Sequence, residues 1–543
     1  MAVTEGVAVE HTTAAAMEEK AKLRKHFGRF DIFFFLICTI VGLDTLGSVA
    51  SYGAQAFIWL VFLGVFFFLP YAMLVAELGS TFRDEGGSYI WTKLSLGRLT
   101  ASINGIMYWM SNPIWLGGTL AITAYATFTT FFWQPSDSQT KLVEIIFGLI
   151  FIWVATWSAI LSFGIGKWIP TIGAWVRVLL LSAFTITVGI YAVKNGVHGV
   201  GGGDFKPTAA VFFAAIPVLF FNFVGFELPS AAGDEMKDPQ KDVPVTIRRA
   251  WLVAILAYGL PILAILLVLP KEQITNLGGF IDAIKTVFTV FGGSVAADGT
   301  ATLTGFGAFL GGVAAIGFIL ALLSSGATWI MGADRAEAVA CYDGAGPRVL
   351  GYFSKKYGTP LAVNLASGIL ATIVLVLAVQ LTDGNTAKYF TAVLGLAIST
   401  TTISYLGIFP ALAILKRKYP HLHRPYSAPG GYAGAIVISV LCTGWALLAT
   451  IALLWPGALS ALPFVGDVAN DSLPAGFEHD RTGYELSQIV PLLVMIGLGL
   501  LFYALGTKTR REQVDIRLDD ESVVPPFTPT PPHDVAGVES GGI

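Results

Sequence analysis

The stretch Ile40-Val41-Gly42-Leu43-Asp44-Thr45-Leu46-Gly47-Ser48 places a carboxylate and two glycines in the middle of a helix-length apolar run. No charged residue precedes Asp44 back to Asp31, and none follows until Glu77. A carboxylate at that depth in a bilayer costs about 2.5–3.5 kcal/mol even on a lenient insertion scale, so it marks a candidate functional site. Val224-Gly225-Phe226-Glu227 repeats the pattern Val-Gly-apolar-acid in a second apolar run. Glycine lets a helix leave helical angles, and the freed N–H and C=O groups become ligands. The N-terminal end of such a half-helix favours a carboxylate, and the C-terminal end favours an ammonium. Gly42, Gly47 and Gly225 are therefore expected at the breaks, with close helix packing as the competing role for each. A third buried charge, Arg177, lies nine residues into another apolar run. That is about 13 Å from the start at ~1.5 Å per residue, too deep for easy snorkelling, so Arg177 is the natural partner for Asp44.

The elements that must position these groups follow from composition. Of 543 residues 55% are hydrophobic and only 13% charged, about half the charged share of an average soluble domain. Apolar runs recur at about 30–53, 57–78, 101–132, 142–163, 168–193, 208–228, 251–269, 306–331, 361–381, 389–415, 433–455 and 486–506. An all-α polytopic membrane protein with 12 transmembrane helices is expected. An even number of spans puts both termini on one side, and the loops of that side carry 25 of the 33 Lys and Arg. By the positive-inside rule both termini are cytoplasmic. Spans 1 and 6 then run antiparallel, as an inverted repeat of five spans requires. The segment before the first span lacks a small-residue cleavage site and reads as a tail, not a signal peptide. The tail after Lys508, rich in proline, is expected to be disordered. Cys38, Cys341 and Cys442 lie far apart, and the histidines fall in tails and connections, so neither a metal nor a cofactor is expected. Gly201-Gly202-Gly203 lacks the context of a phosphate loop, which argues against an ATP-driven pump. No Ser/His/Asp set points to an enzyme.

Several loop motifs resemble those of the amino acid permeases of the amino acid–polyamine–organocation (APC) superfamily. They are Ala76-Glu77-Leu78-Gly79 to Glu85-Gly86-Gly87-Ser88-Tyr89, and Gly225-Phe226-Glu227 followed by Glu235-Met236-Lys237-Asp238-Pro239-Gln240-Lys241-Asp242-Val243-Pro244. Asp343-Gly344 with Gly358-Thr359-Pro360, and Arg424-Pro425-Tyr426 with Pro429-Gly430-Gly431, match later connections. The resemblance implies the leucine-transporter fold: a tail at 1–29, helices 1–5 at 30–194, helices 6–10 at 208–416 as the inverted repeat, two further helices at 433–506, and a cytoplasmic tail at 507–543. It also implies a substrate held at the breaks by Val41, Gly42, Asp44, Thr45, Phe221, Asn222, Phe223, Gly225 and Phe226. Phe221 corresponds to an aromatic gate, and Glu227 to an acid linked to pH sensitivity in related antiporters. Arg177 aligns with a lysine that takes the place of a sodium ion in sodium-independent relatives. Ser324 and Ser325 match sodium ligands of sodium-coupled ones.

The family's helix 1 pattern Gly-x-Gly-Ile-Phe reads Gly42-Leu43-Asp44-Thr45-Leu46 here, with Asp44 in place of the second glycine. An ionised Asp44 would repel a substrate carboxylate and attract an amine, unless it is protonated or paired. The expected function is secondary active transport of amino acids across the plasma membrane, sodium-independent, by proton coupling or exchange. Asp44, Arg177 and Glu227 are the coupling candidates. A polyamine or amine carrier, or a nutrient-sensing receptor that does not transport, is the alternative. The implied partners are the substrate, protons and the lipid bilayer, with no nucleic acid.

Overall fold

A run of twenty apolar residues satisfies its backbone in a bilayer as a helix, and helices dominate the chain in the computed structural model. The structure describes residues 9–13, 18–19, 27–82, 84–161, 166–197, 200–275, 277–381, 386–458, 473–474 and 476–517. In chain order the helices are α1 (Arg29–Ile40), α2 (Leu46–Ala50), α3 (Ala54–Thr81), α4 (Ser88–Leu96) and α5 (98–131, with a π turn at Leu116–Leu120). Next come α6 (Thr140–Ile160), α7 (Trp168–Asn195), α8 (Ala209–Phe221), α9 (Pro239–Val268) and α10 (Gly279–Phe288). The last are α11 (Gly305–Tyr342), α12 (Leu361–Leu381), α13 (Thr386–Ile408), α14 (Ala411–Lys418), α15 (Gly431–Leu454) and α16 (Arg481–Leu505).

Among the described residues nine helices are long and apolar enough to cross a membrane. Three expected spans are missing from that set: the third is α5, which carries the π turn at Leu116–Leu120, and the first and sixth are interrupted. Span 1 is α1 and α2 with a break between, and span 6 is α8 followed by a 3-10 segment, Leu228–Glu235. Both breaks coincide with the glycine-and-acid stretches. α1 packs against α7, α9 and α11, while α5 packs against α11, α12, α13 and α16. The connection 270–305 is not merely a surface loop. Its α10 is buried among α7, α9, α11 and α2, with Gly279 seated against Gly47. Gly47 lies within α2, just past the break, where its backbone is what a Cβ at Gly279 would meet.

The end of the bundle that carries both termini is closed by buried ion pairs. Arg335 donates to Glu85 and Glu235, each at 2.9 Å, and to the Gly358 carbonyl at 3.1 Å. Arg98 forks onto both oxygens of Asp343, at 3.0 and 3.2 Å, while Lys93 lies 3.3 Å away. Glu77 receives Lys416, Arg424 and the Ala428 N–H. The backbone of Val9–Thr13 (β1) pairs antiparallel with Gln513–Arg517 (β4) on this side, and β2 (Gly293–Val295) with β3 (Ala301–Leu303) forms a hairpin after α10. The tail read as disordered from Lys508 thus has an ordered start, and residues 518–543 lie outside the described residues.

Candidate functional site

A helix that stops inside a protein leaves its last four carbonyls without intrahelical donors. At the end of α1 each of the four meets a side chain from another helix. Ser325 Oγ donates to Cys38 at 3.0 Å, and Trp329 Nε1 donates to Thr39 at 3.0 Å, both from α11. Tyr258 Oη of α9 donates to Ile40 at 2.6 Å and accepts the Gly42 N–H at 2.8 Å. Arg177 Nε of α7 donates to Val41 at 3.0 Å. The break is held open by donors that the sequence supplies from three distant spans.

Arg177 is 1% exposed. Besides Val41 it donates to Cys38 Sγ at 3.0 Å, Ser324 Oγ at 2.8 Å, the Ala321 carbonyl at 2.5 Å and Ser325 Oγ. All five guanidinium N–H groups are thereby used, every one on a neutral acceptor. Arg177 is not the ion-pair partner of Asp44, contrary to the expectation from depth alone. It knits the end of α1 to the two serines of α11 instead. Asp44 Oδ2 accepts Trp115 Nε1 at 2.7 Å and Thr119 Oγ1 at 3.1 Å, both from α5, while Oδ1 is buried without a hydrogen-bond partner.

Asp44 lines a small cavity between the two breaks, with Thr39, Ile40, Gly42, Thr45, Trp115, Phe221, Asn222, Val224, Tyr258 and Trp329. Both polar atoms of the Asn222 amide are also unpartnered. Aromatic rings wall the space, with Trp115 6.0 Å from both Phe221 and Trp329. Five predicted substrate residues line the cavity: Gly42, Asp44, Thr45, Phe221 and Asn222. The other four lie behind it. Val41 presents its carbonyl to Arg177. Phe223 and Phe226 stack on Phe68, each with ring centroids 4.6 Å apart. Gly225 adopts φ +119°, and a Cβ there would run into the Thr39 side chain, so glycine is required on both counts.

Glu227 lies outside the cavity, 1% exposed. Its oxygens accept Tyr108 and Tyr405 at 2.7 Å each and also Tyr71, whose hydroxyl in turn accepts the Gly225 and Phe226 N–H groups at 3.1 and 3.0 Å. Glu227 thus organises the second break through Tyr71, and Tyr108 reaches the cavity wall at Trp329, 6.2 Å between rings.

Sequence reasoning missed Trp115, Thr119, Tyr108, Tyr258 and Trp329. A signal existed for most of them. Tyr108, Asn112, Trp115 and Thr119 recur at spacings of four, three and four, one face of a helix, and Trp329 follows Ser325 by four. Tyr258 carries no such mark.

Broken helices around a small cavity, inside a bundle of apolar helices, are the arrangement expected of a secondary transporter. A family model for amino acid permeases matches residues 27–470, and the chain belongs to that family. The probable agmatine/putrescine antiporter AguD of Lactococcus lactis is 26% identical over 413 residues, covering 75% of this chain and 83% of that protein. An uncharacterized transporter of Legionella pneumophila is 24% identical over 411 residues, 74% of this chain and 84% of that one. Among solved structures, the Eremococcus coleocola manganese transporter, crystallised with an aromatic bis-isothiourea compound, superposes with a TM-score of 0.53 at 13% identity. It covers 89% of this chain and 94% of its own, a likeness of fold. Membership in a permease family points to transport rather than catalysis.

Proposed function

We propose that this permease exchanges small substrates that carry an amine or guanidinium cation, amino acids or polyamines, by alternating access around the cavity at the two breaks. One observation carries the reading: Asp44 Oδ1 is a buried acceptor without a partner, in a cavity walled by Trp115, Phe221 and Trp329. The four α1 carbonyls that would otherwise attract an ammonium already accept side-chain donors. A carboxylate beside aromatic faces selects cations by charge and by the ring quadrupole together. The likeness to a relative named for agmatine and putrescine supports the amine side of this choice.

Coupling is sodium-independent on this reading. The Arg177 guanidinium fills the space between Val41, Ser324 and Ser325, and a permanent cation there leaves no place for a sodium ion. Asp44 and Glu227 remain as carriers of a proton or as charge partners of the substrate. The inverted repeat of five spans, the orientation with cytoplasmic termini and residence in the plasma membrane belong to the same proposal. The test is counterflow into proteoliposomes loaded with unlabelled agmatine, putrescine or arginine, in sodium-free medium. Labelled cationic substrate is expected to accumulate. Binding without counterflow would make the protein a receptor, and accumulation of zwitterions alone would overturn the role given to Asp44.

A further inference from the structure

Outside the cavity and the Glu227 cluster, α11 carries two more carboxylates that the transport reading does not use. Asp334 and Glu337 are 0% and 2% exposed and stand three residues apart, on one face of the helix. Asp334 Oδ1 accepts Trp109 Nε1 of α5 at 3.1 Å and Ser367 Oγ of α12 at 2.7 Å, while its Oδ2 has no partner. Glu337 Oε1 lies 3.6 Å from Cys341 Sγ, and its Oε2 has no partner either. Gly105 of α5 makes room for it, since a Cβ at that glycine would stand 3.1 Å from Oε2.

The three helices supply polar groups at two levels. Trp109, Asp334 and Ser367 form one. Closer to the termini, Gly105, Glu337 and Asn364 form the other, because α12 runs antiparallel to α11 and Asn364 precedes Ser367 by three residues. Asn364 is 1% exposed, on the Ser367 face, and its Oδ1 is unpartnered. The neighbouring cations are committed elsewhere: Arg335 to Glu85 and Glu235, Arg98 to Asp343. Among the described residues the side chains bonded to the two acids are Trp109, Ser367 and Cys341, of which Cys341 alone is titratable, while Tyr108 of α5 is bonded to Glu227.

We propose that Asp334 and Glu337 form a proton-binding site in the helices α5, α11 and α12, separate from the substrate cavity and independent of which substrate is carried. Two uncompensated charges at this burial are strongly unfavourable, so at least one oxygen of the pair holds a proton. The free Oδ2 and Oε2 are the atoms to which it adds, and no other bond changes. Asn364, one turn from Ser367 on the same face of α12, brings a further buried and unpartnered acceptor, its Oδ1, to this region. The site lies in the half of α11 nearer the termini, so the proposal assigns its proton exchange to that side.

Infrared titration of the full chain in nanodiscs tests this without any transport assay. A carboxylic acid C=O band that disappears as pH rises is expected in the wild type. Loss of that band in D334N or in E337Q, with the helical amide signature kept, assigns it. If D334N fails to fold, E337Q alone serves, since it leaves both donors to Asp334 in place. Exchange measured against pH on the terminal side is expected to shift its profile in the same variant. A band that persists in both variants, or one that never titrates, overturns the proposal; the latter would make the pair a permanently neutral packing contact.

Discussion

At the scale of single residues, three buried charges have three different solutions. Arg177 spends five donors on neutral acceptors, Glu227 collects three tyrosine hydroxyls, and Asp44 keeps one oxygen free. On the proposed function that free oxygen is the one that meets the substrate cation. Asp44→Asn keeps the shape and removes the charge. A hydrogen bond to a charged group contributes about 1.5–3 kcal/mol, so the variant should bind a diamine roughly ten- to a hundred-fold more weakly. Isothermal titration with putrescine and with a neutral amino acid checks this, and equal losses for both would reduce Asp44 to a structural acid. Glu227→Gln should disturb the second break instead, because the amide must offer two hydrogens where the carboxylate only accepted. The expected readout is a flattened pH profile of exchange with little change in substrate affinity.

At the scale of elements, both interrupted helices are stable because other helices complete their hydrogen bonding. Tyr258 is the clearest case, since one hydroxyl serves both sides of the first break. Tyr258→Phe leaves the Ile40 carbonyl and the Gly42 N–H without that partner, a cost of about 1–3 kcal/mol. A lower Tm in detergent is expected, together with a raised KM, because the break borders the cavity. An unchanged Tm would mean that the bond the Gly42 N–H already makes to the Ile40 carbonyl, at 3.0 Å, or water, suffices for both groups.

For the whole molecule, the closed end of the bundle depends on charges that meet across long sequence separations. Arg335 joins the segment after α3 to the segment after the second break. Arg335→Met removes the cation that Glu85 and Glu235 share, and breaking such a buried pair costs about 3–5 kcal/mol. Increased labelling of a cysteine placed at Ala231 from the terminal side is the expected sign of an opened path. Asp343 lies just past the end of α11. Burial alone would raise its carboxyl, but Lys93, Arg98 and the Tyr89 hydroxyl outweigh that and hold it below the ordinary carboxylate range. Its contribution is therefore complete above the ordinary value near pH ~4 and is lost as pH falls through the depressed one. Asp343→Asn should lower the Tm at neutral pH and narrow the gap to the wild type in strong acid.

Much of this architecture was legible beforehand. Apolar runs of helix length specify spans wherever they occur, and glycine beside an acid in two of them marked both breaks, because a bilayer makes that combination costly unless it serves a site. The loop motifs identified the family, which the family match to residues 27–470 then showed. Pairing was a different matter. Depth in a span located Arg177 correctly and still suggested the wrong partner, since burial says that a charge needs partners and not which ones. Its donors went to carbonyls and serines that only the packing of α1, α7 and α11 brings within reach. Trp115, Thr119, Tyr258 and Trp329 entered the site the same way, each from a different stretch of chain or a face whose orientation sequence does not specify. Gly47 looked like Gly42 in sequence, and the structure places it within α2, against Gly279 of α10. What the sequence determined by itself was where the helices break, because that is a local balance of backbone freedom and solvation. Which groups heal each break, and which oxygen of Asp44 stays unpaired, is decided by contacts between residues more than seventy positions apart.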